Sequence, residues 1–262
     1  MPDPLALLID FDGTLYEGDL PVLSYARHCA AHLDDAGATA LIDGIRYFLE
    51  GKAIGTVAVD LSTAEDGCQA VEILAAAAGL STDQVDEAYR RSRVDLAASA
   101  FALDAPEGLA ALLGALTGVH VVVVTNADRI GVREVIDAIG LAELVDEVVT
   151  DAGKPDTLPR IVAAALDRIG ASSDPTRLMA VGDRWLHDLA AAQLAGARTA
   201  MVDRFDRGVG EPDVRARTLA GLLPGITDWA RQHGALASDS VPLRDRPSAP
   251  TSRSAPISRE IR

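Results

Sequence analysis

The sequence is poor in aromatic residues and cysteine. Aromatic side chains make up 4% of the 262 residues, although 48% are hydrophobic, so the core must be built from alanine, valine, leucine and isoleucine. The two cysteines, Cys29 and Cys68, do not form a CxxC pair, which argues against a zinc site or a disulfide framework. We expect two free thiols in a reducing cytosol, with a single bridge as the alternative.

Long apolar runs and excess positive charge are also missing. No stretch reaches the roughly 20 apolar residues that span a bilayer, and the N-terminus lacks the basic segment of a signal peptide. We therefore expect a soluble, cytoplasmic protein. The formal net charge of −15 repels nucleic acid and anionic membranes, so neither is an expected partner. An anionic substrate would need a local cation.

Short apolar runs alternate with helical patterns along most of the chain. Runs without polar alternation occur at residues 5–9, 119–124, 147–150, 178–181 and 199–202. Helix-period segments lie at residues 107–116, 129–139, 158–169 and 186–194. This order predicts an α/β domain with a doubly wound, Rossmann-like parallel sheet that helices bury on both faces.

A block of helical patterns interrupts this alternation after the first strand. It comprises residues 21–36, 39–49, 64–78 and 82–100, with Thr63 and Ser81 as expected N-caps. We predict an α/β core of residues 1–15 and 106–236 with an inserted α-helical cap of residues 16–105. Residues 237–262 hold four prolines and six serines with few large apolar residues, so we predict a disordered tail.

Acidic residues follow two of the predicted strands. Asp10 and Asp12 come after the first strand in DFDGT, and Asp183 comes after the fourth in GDRWLHD. Each acid alone could belong to a turn, and Asp188 suits a helix N-cap. Because the carboxyl ends of parallel strands meet at one edge of the sheet, we expect a ligand site there.

Two further residues belong to the same expected edge. Thr125 ends the second strand in VVVVTNAD, and its hydroxyl and the amides of the next helix could bind an anion. Lys154, in DAGKPD, is one of two lysines among 24 basic residues, the other being Lys52. A lysine where arginine is used almost throughout indicates a place for a compact charge, with a solvated surface group as the alternative.

Together these motifs strongly resemble those of the haloacid dehalogenase superfamily of phosphotransferases. DFDGTL is similar to its first motif, VTN to its second, KP to its third and GDRWLHD to its fourth. The helical insertion resembles the family's cap. The resemblance implies a nucleophilic Asp10, Asp12 as general acid and base, and a phosphate site formed by Thr125, Asn126 and Lys154.

Crowded carboxylates at this edge require a cation. Two carboxylates about 4 Å apart repel by about 4 kcal/mol at an effective dielectric near 20. Without an ion, the pKa of one carboxylate would rise until it retained a proton. A divalent ion removes the repulsion instead, and hard carboxylate oxygens suit Mg²⁺. The resemblance implies ligation by the side chains of Asp10 and Asp183 and by the backbone carbonyl of Asp12. Asp188 would act directly, through water, or by orienting Lys154.

The implied activity is that of a Mg²⁺-dependent phosphatase acting on a small phosphorylated metabolite through an aspartyl phosphate. The family's dehalogenases lack an acid at the second position of the first motif, so Asp12 favours phosphoryl transfer. A sugar phosphomutase, which keeps both acids, is one alternative. A non-catalytic binding or regulatory protein with the same fold is another.

Overall fold

A six-stranded parallel sheet forms the centre of the protein. The structure is a computed structural model and describes residues 3–52, 59–98 and 102–236. In chain order the strands are β1 (Leu5–Ile9), β2 (Val119–Val124), β3 (Glu147–Val149), β4 (Leu178–Gly182), β5 (Arg198–Val202) and β6 (Val214–Ala216). In space their order is β3-β2-β1-β4-β5-β6. The five predicted strands are therefore confirmed to within about a residue.

Helices precede or follow most strands. Those of the described residues are α1 (Leu20–Ala30), α2 (Asp35–Leu49), α3 (Gly67–Ala77), α4 (Thr82–Ala97), α5 (Leu109–Ala115), α6 (Val132–Ala138), α7 (Leu158–Arg168), α8 (Ala190–Leu194) and α9 (Leu219–Gln232). Helices α5, α6 and α9 share a hydrophobic cluster on one face of the sheet, and α7 and α8 share one on the other.

Strand β1 is buried on both faces, as its unbroken apolar run predicts. Leu5, Leu7 and Ile9 pack into the first cluster. Ala6 and Leu8 alternate with them and pack into the second. Side chains of a strand point alternately to opposite faces, so helices must cover both. The doubly wound α/β class is confirmed.

Helices α1 to α4 form the inserted cap. They enclose a hydrophobic cluster of their own, separate from the two clusters at the sheet, which includes Tyr25, Ile45 and Leu74. The chain leaves and re-enters the core side by side, because Glu17 and Asp104 pair in an isolated antiparallel bridge. A helical cap inserted after β1 is thus present, while its limits at residues 16 and 105 stay predictions.

The limits of the helices in the inserted domain differ from the prediction where their N-cap residues were misassigned. The segment 21–36 does not form one helix, because α1 ends at Ala30 and the Asp34 side chain caps α2 by accepting the Gly37 N–H at 2.8 Å. Thr63 was wrong as the N-cap of α3. Asp66 takes that place and accepts from Gln69. Ser81 is confirmed as the cap of α4.

Strand β6 and helix α9 were not predicted. Strand β6 has three residues at the edge of the sheet, too few for a visible alternation. Helix α9 contains Pro224 and two glycines, which weaken a helical pattern. Its apolar side chains nevertheless bury, and the Trp229 indole N–H donates to the Thr176 carbonyl at 2.9 Å. Tertiary packing therefore overrides a poor local propensity.

Two expectations concern regions or properties outside the sheet. The predicted disordered tail, residues 237–262, lies outside the described residues. Across the part of the chain that the structure describes, no helix combines the length and the apolarity needed to cross a membrane.

Candidate active site

Asp10 and Asp183 meet at the carboxyl edge of the two central strands. Asp10 directly follows β1, Asp183 directly follows β4, and the strand order reverses between this pair, which is where such sheets bind ligands. The Asp10 N–H donates to the Val181 carbonyl at 2.9 Å. One carboxylate oxygen from each of Asp10, Asp183 and Asp188 lies within 4.8 Å of the others. The structure thus brings these three acids together.

Burial and mutual repulsion disfavour the charged forms of Asp10 and Asp183. The pKa of Asp10 is raised to about 7, first by burial and then by the charge of Asp188, against the opposing effect of Lys154. The pKa of Asp183 is raised well above its usual value, first by burial and then by Asp10. Among the described residues, Asp183 Oδ1 is buried without a hydrogen-bond partner. Such an oxygen beside two further carboxylates fits a cation ligand.

Gly13 allows Asp183 to reach the turn that follows β1. Its φ of 81° lies in the left-handed region, and a Cβ atom at this position would sit 2.2 Å from Asp183 Oδ2. The glycine of DFDGT is therefore required both by the turn and by the close approach of the carboxylate.

Lys154 neutralises two of the acids. Its ammonium group donates to Asp10 Oδ1 at 2.8 Å, to Asp188 Oδ1 at 2.5 Å and to the Val124 carbonyl at 2.8 Å. Burial opposes its charge, but Asp10 and Asp188 hold its pKa above the usual range. The alternative of a solvated surface lysine is excluded, because the side chain is 3% exposed.

Asn126 contacts the backbone of Lys154. Its Nδ2 group donates to the Lys154 carbonyl at 2.8 Å, and its Oδ1 accepts the Lys154 N–H at 2.7 Å. Both ends of the amide are therefore engaged. The side chain of Asn126 thus holds the Lys154 backbone in place, and phosphate binding by this residue stays a prediction.

Thr125 lies at the end of β2 and is buried. Its Oγ1 accepts the Ala127 N–H at 3.0 Å, which leaves the hydroxyl hydrogen free to donate. The expected help from a helix N-terminus is absent, because α6 begins only at Val132. Thr125 thus offers one donor from its side chain.

Asp188 is not a helix N-cap. It lies within a five-residue π-helical segment, Trp185–Leu189. Its Oδ1 accepts from Lys154 and its Oδ2 accepts the Arg184 N–H at 3.0 Å. Of the three alternatives for this acid, orientation of Lys154 is directly visible. Its proximity to Asp10 and Asp183 keeps metal ligation compatible with the structure.

Asp12 faces the cap and not the three-acid cluster. Its Oδ1 accepts the Tyr16 hydroxyl at 2.7 Å and Arg93 Nη1 at 3.1 Å, the arginine coming from cap helix α4. Burial and the neighbouring Asp12 raise the pKa of Tyr16 well above its usual value, so the phenol stays a donor. The second acid of DFDGT is therefore held separately from the first.

The cap and the core enclose a cavity of about 370 Å³ above these acids. Ion pairs join the cap to the core at its wall, since Arg184 of the core lies 3.4 Å from the carboxylates of Glu65 and Asp66. Arg204, after β5, binds both carboxylate oxygens of Asp19, where the chain enters the cap. The cavity therefore lies between the cap and the core and is partly open to solvent.

Sequence reasoning sets Arg93 aside with its neighbouring arginines as a solvated helix face, and it misses Tyr16 as a site residue. Three arginines lie close together in α4, at positions 90, 91 and 93, and charge alone does not separate them. Arg91 is exposed and pairs with Glu87 one turn away, whereas Arg93 is buried against the core. The face of α4 that contacts the core distinguishes Arg93 from Arg91. That face is known only once the position of the cap on the core is known.

Comparison with known proteins agrees with the fold and the motifs. A family profile described as haloacid dehalogenase-like hydrolase matches residues 5–196. No curated protein matches the sequence. A predicted phosphoglycolate phosphatase from Haemophilus somnus 129PT is 21% identical, with a TM-score of 0.58, over 87% of this chain and 99% of that one.

Two other solved structures show the same similarity. CbbY from Rhodobacter sphaeroides, in complex with phosphate, is 20% identical with a TM-score of 0.54, over 85% of this chain and 96% of that one. L-2-haloacid dehalogenase from Xanthobacter autotrophicus, with chloropropionic acid covalently bound, is 16% identical with a TM-score of 0.51, over 86% and 98%. At such identities the likeness establishes the fold alone. The profile spans well over half of the sequence and includes all four motifs, and the chain therefore belongs to the haloacid dehalogenase-like hydrolase family.

Proposed function

We propose that this hydrolase is a Mg²⁺-dependent phosphatase that removes phosphate from a small phosphorylated metabolite. The observation that carries the proposal is the separation of two carboxylates in DFDGT. Asp10 lies in the three-acid cluster, and Asp12 lies outside it, hydrogen-bonded to Tyr16 and Arg93. Phosphate ester cleavage needs both a nucleophile and a proton donor for the leaving oxygen.

Carbon–halogen cleavage makes no use of a general acid. A halide leaves as a stable anion and takes no proton, whereas an alcohol leaving from phosphorus must be protonated. Asp12 therefore has a chemical task in phosphoryl transfer and none in carbon–halogen cleavage.

Each residue of the site has a separate role in the proposed reaction. Asp10 attacks phosphorus and forms an aspartyl phosphate, while the bond from phosphorus to the ester oxygen breaks and Asp12 gives that oxygen a proton. Asp12 then takes a proton from the water that attacks the aspartyl phosphate, which releases inorganic phosphate and restores Asp10. Lys154 keeps Asp10 aligned, and Thr125 donates to a phosphate oxygen.

The three-acid cluster is the proposed Mg²⁺ site. Asp10 and Asp183 supply oxygens, and Asp188 contributes an oxygen or holds Lys154 in place. The ion, when bound, supplies positive charge that attracts the phosphate and neutralises charge in the transition state. Its charge would also offset the burial and the mutual repulsion that raise the pKa values of Asp10 and Asp183.

The function is tested with the purified full chain, p-nitrophenyl phosphate and a panel of phosphorylated metabolites, with inorganic phosphate as the readout. We expect release that requires Mg²⁺, stops with EDTA and returns when Mg²⁺ is restored. A parallel assay measures halide release from 2-chloropropionate. Halide release, EDTA-insensitive turnover, or isomerisation of a sugar phosphate without phosphate release would each contradict the proposal.

Metal binding should change how stability depends on pH. Without metal, the raised pKa values of Asp10 and Asp183 mean that the folded state binds more protons than the unfolded state. For Asp10 the resulting loss of stability extends from about pH 4 to about pH 7, and Asp183 adds a loss in the same direction. We expect about 5 mM Mg²⁺ to raise the melting temperature more at about pH 8 than at about pH 5.5. Calorimetry measures both increments.

The matched control for this prediction is Asp10→Asn, which removes one of the two titrating carboxylates. Its melting temperature in EDTA should vary less with pH than that of the wild type, and its response to Mg²⁺ should be smaller. Equal Mg²⁺ increments at both pH values, or no increment at either, would contradict the assignment of the cluster as a metal site.

A further inference from the structure

Tyr16 follows β1 on the segment that leads into the cap, and it is held in place from several sides. The residue is 7% exposed, and its ring packs edge-on against Phe11 with 5.1 Å between the centroids. Before it, the Leu15 N–H donates to the Phe11 carbonyl at 3.0 Å. After it, the Glu17 N–H donates to the Asp104 carbonyl at 2.9 Å. The phenol therefore has a fixed direction.

The phenol is directed at Asp12. Its hydroxyl donates to Asp12 Oδ1 at 2.7 Å, and the same oxygen accepts from Arg93 Nη1 at 3.1 Å. In the described part of the chain, Oδ2 has only a longer contact, at 3.4 Å from Arg93 Nη1. Asp12 can thus carry a proton on Oδ2 while Oδ1 continues to accept from both donors. The two oxygens of this carboxyl group are therefore not equivalent.

This difference between the oxygens bears on the step that the proposed function, on which the inference rests, assigns to Asp12. In that step the bond from phosphorus to the ester oxygen breaks, and the ester oxygen takes a proton from Asp12. The transfer needs a carboxyl oxygen within hydrogen-bond reach of its target, and a small misplacement costs a large factor in rate. The Asp12 side chain lines the cavity and is 30% exposed, so burial alone does not orient it. A hydrogen bond from a fixed donor supplies that orientation.

We propose that Tyr16 is a positioning residue, which holds Asp12 Oδ1 so that Oδ2 faces the ester oxygen of the substrate. Tyr16 touches none of the reacting atoms and acts through Asp12. Its removal therefore slows the steps in which Asp12 gives or takes a proton and leaves the other steps unchanged. An ester whose leaving oxygen departs as a stable anion needs little of this help.

The test compares p-nitrophenyl phosphate with p-nitrobenzyl phosphate, which is longer by a single methylene group. Nitrophenolate leaves as a delocalised anion, whereas the benzyl alcohol must be protonated as it leaves. We expect Tyr16→Phe to lower kcat/KM by about 30-fold for the benzyl ester and by no more than about 3-fold for the phenyl ester. The comparison uses kcat/KM because this quantity covers the steps up to departure of the alcohol, so the later attack of water does not enter.

The same two esters show whether Tyr16 acts through Asp12. Asp12→Asn should itself lower kcat/KM far more for the benzyl ester than for the phenyl ester. Adding Tyr16→Phe to Asp12→Asn should then leave the ratio of the two kcat/KM values where Asp12→Asn alone puts it. The matched control is Tyr25→Phe, because Tyr25 also lines the cavity but packs against Tyr89 of the cap. This control should keep the wild-type ratio.

Two results would overturn the inference. One is a Tyr16→Phe variant whose kcat/KM is unchanged for both esters or falls by the same factor for both, since an equal loss means a purely structural role. The other is a further change in the ratio when Tyr16→Phe is added to Asp12→Asn. The proposed function fails on different results, which are a wild type without Mg²⁺-dependent phosphate release from p-nitrophenyl phosphate, or an Asp12→Asn variant with the wild-type ratio.

Discussion

Asp10→Asn is expected to lower phosphate release by at least about 10⁴-fold, since removal of a nucleophile abolishes the covalent route. The amide is nearly the same size as the carboxylate and does not attack phosphorus. The substitution also removes one of three mutually repelling acids. The Lys154 ammonium keeps its contacts with Asp188 and the Val124 carbonyl. The loss is therefore expected in kcat and without loss of the fold.

The measurements for this variant are steady-state phosphate release and thermal unfolding in EDTA. Because burial raises the pKa of Asp10 to about 7, its charge destabilises the metal-free protein at about pH 8, and the variant should melt at the wild-type temperature or above it. The control is Asp137→Asn on the exposed surface of α6, which should keep full activity. Phosphate release at the wild-type rate by Asp10→Asn would contradict the assignment of Asp10 as the nucleophile.

The sheet edge could be predicted because its signals are local. Unbroken apolar runs mark strands that are buried on both faces, and the residue after such a run lies at a carboxyl end. Asp10 and Asp183 were therefore placed correctly without knowledge of the strand order. Lys154 could also be identified from the sequence, because lysine is rare in it. The structure shows why a lysine is used at this position, since a compact charge lies buried between two acids.

The features of the site and the fold that could not be predicted depend on contacts between segments far apart in sequence. Asn126 positions Lys154 across 28 residues, and Arg93 reaches Asp12 across 81. No periodicity within α4 shows that Arg93 and not Arg91 points to the core, because that follows from how the cap docks. Helix α9, with its internal Pro224, forms because the sheet offers its apolar face a partner.

The second large effect is expected for Lys154→Met. This variant leaves Asp10 and Asp188 buried without their counter-charge, and removal of one partner of a buried ion pair costs about 3–5 kcal/mol. For a domain of this size the melting temperature should fall by about 10 °C. Phosphate release should fall as well, because Asp10 loses the group that aligns it. Lys52→Met is the matched control, since Lys52 is the other lysine and pairs with Glu50 at the surface.

The pH dependence of the melting temperature of Lys154→Met distinguishes the loss of a counter-charge from the loss of packing. Without Lys154 the pKa of Asp10 rises further above about 7, so the variant continues to lose stability at higher pH than the wild type does. The difference in melting temperature should therefore be larger at about pH 8 than at about pH 5, where protonation removes the repulsion, and Mg²⁺ should narrow it. A deficit that is constant with pH and unaffected by Mg²⁺ would mean that Lys154 acts through the packing of its stem, and the electrostatic account of the site would then fail.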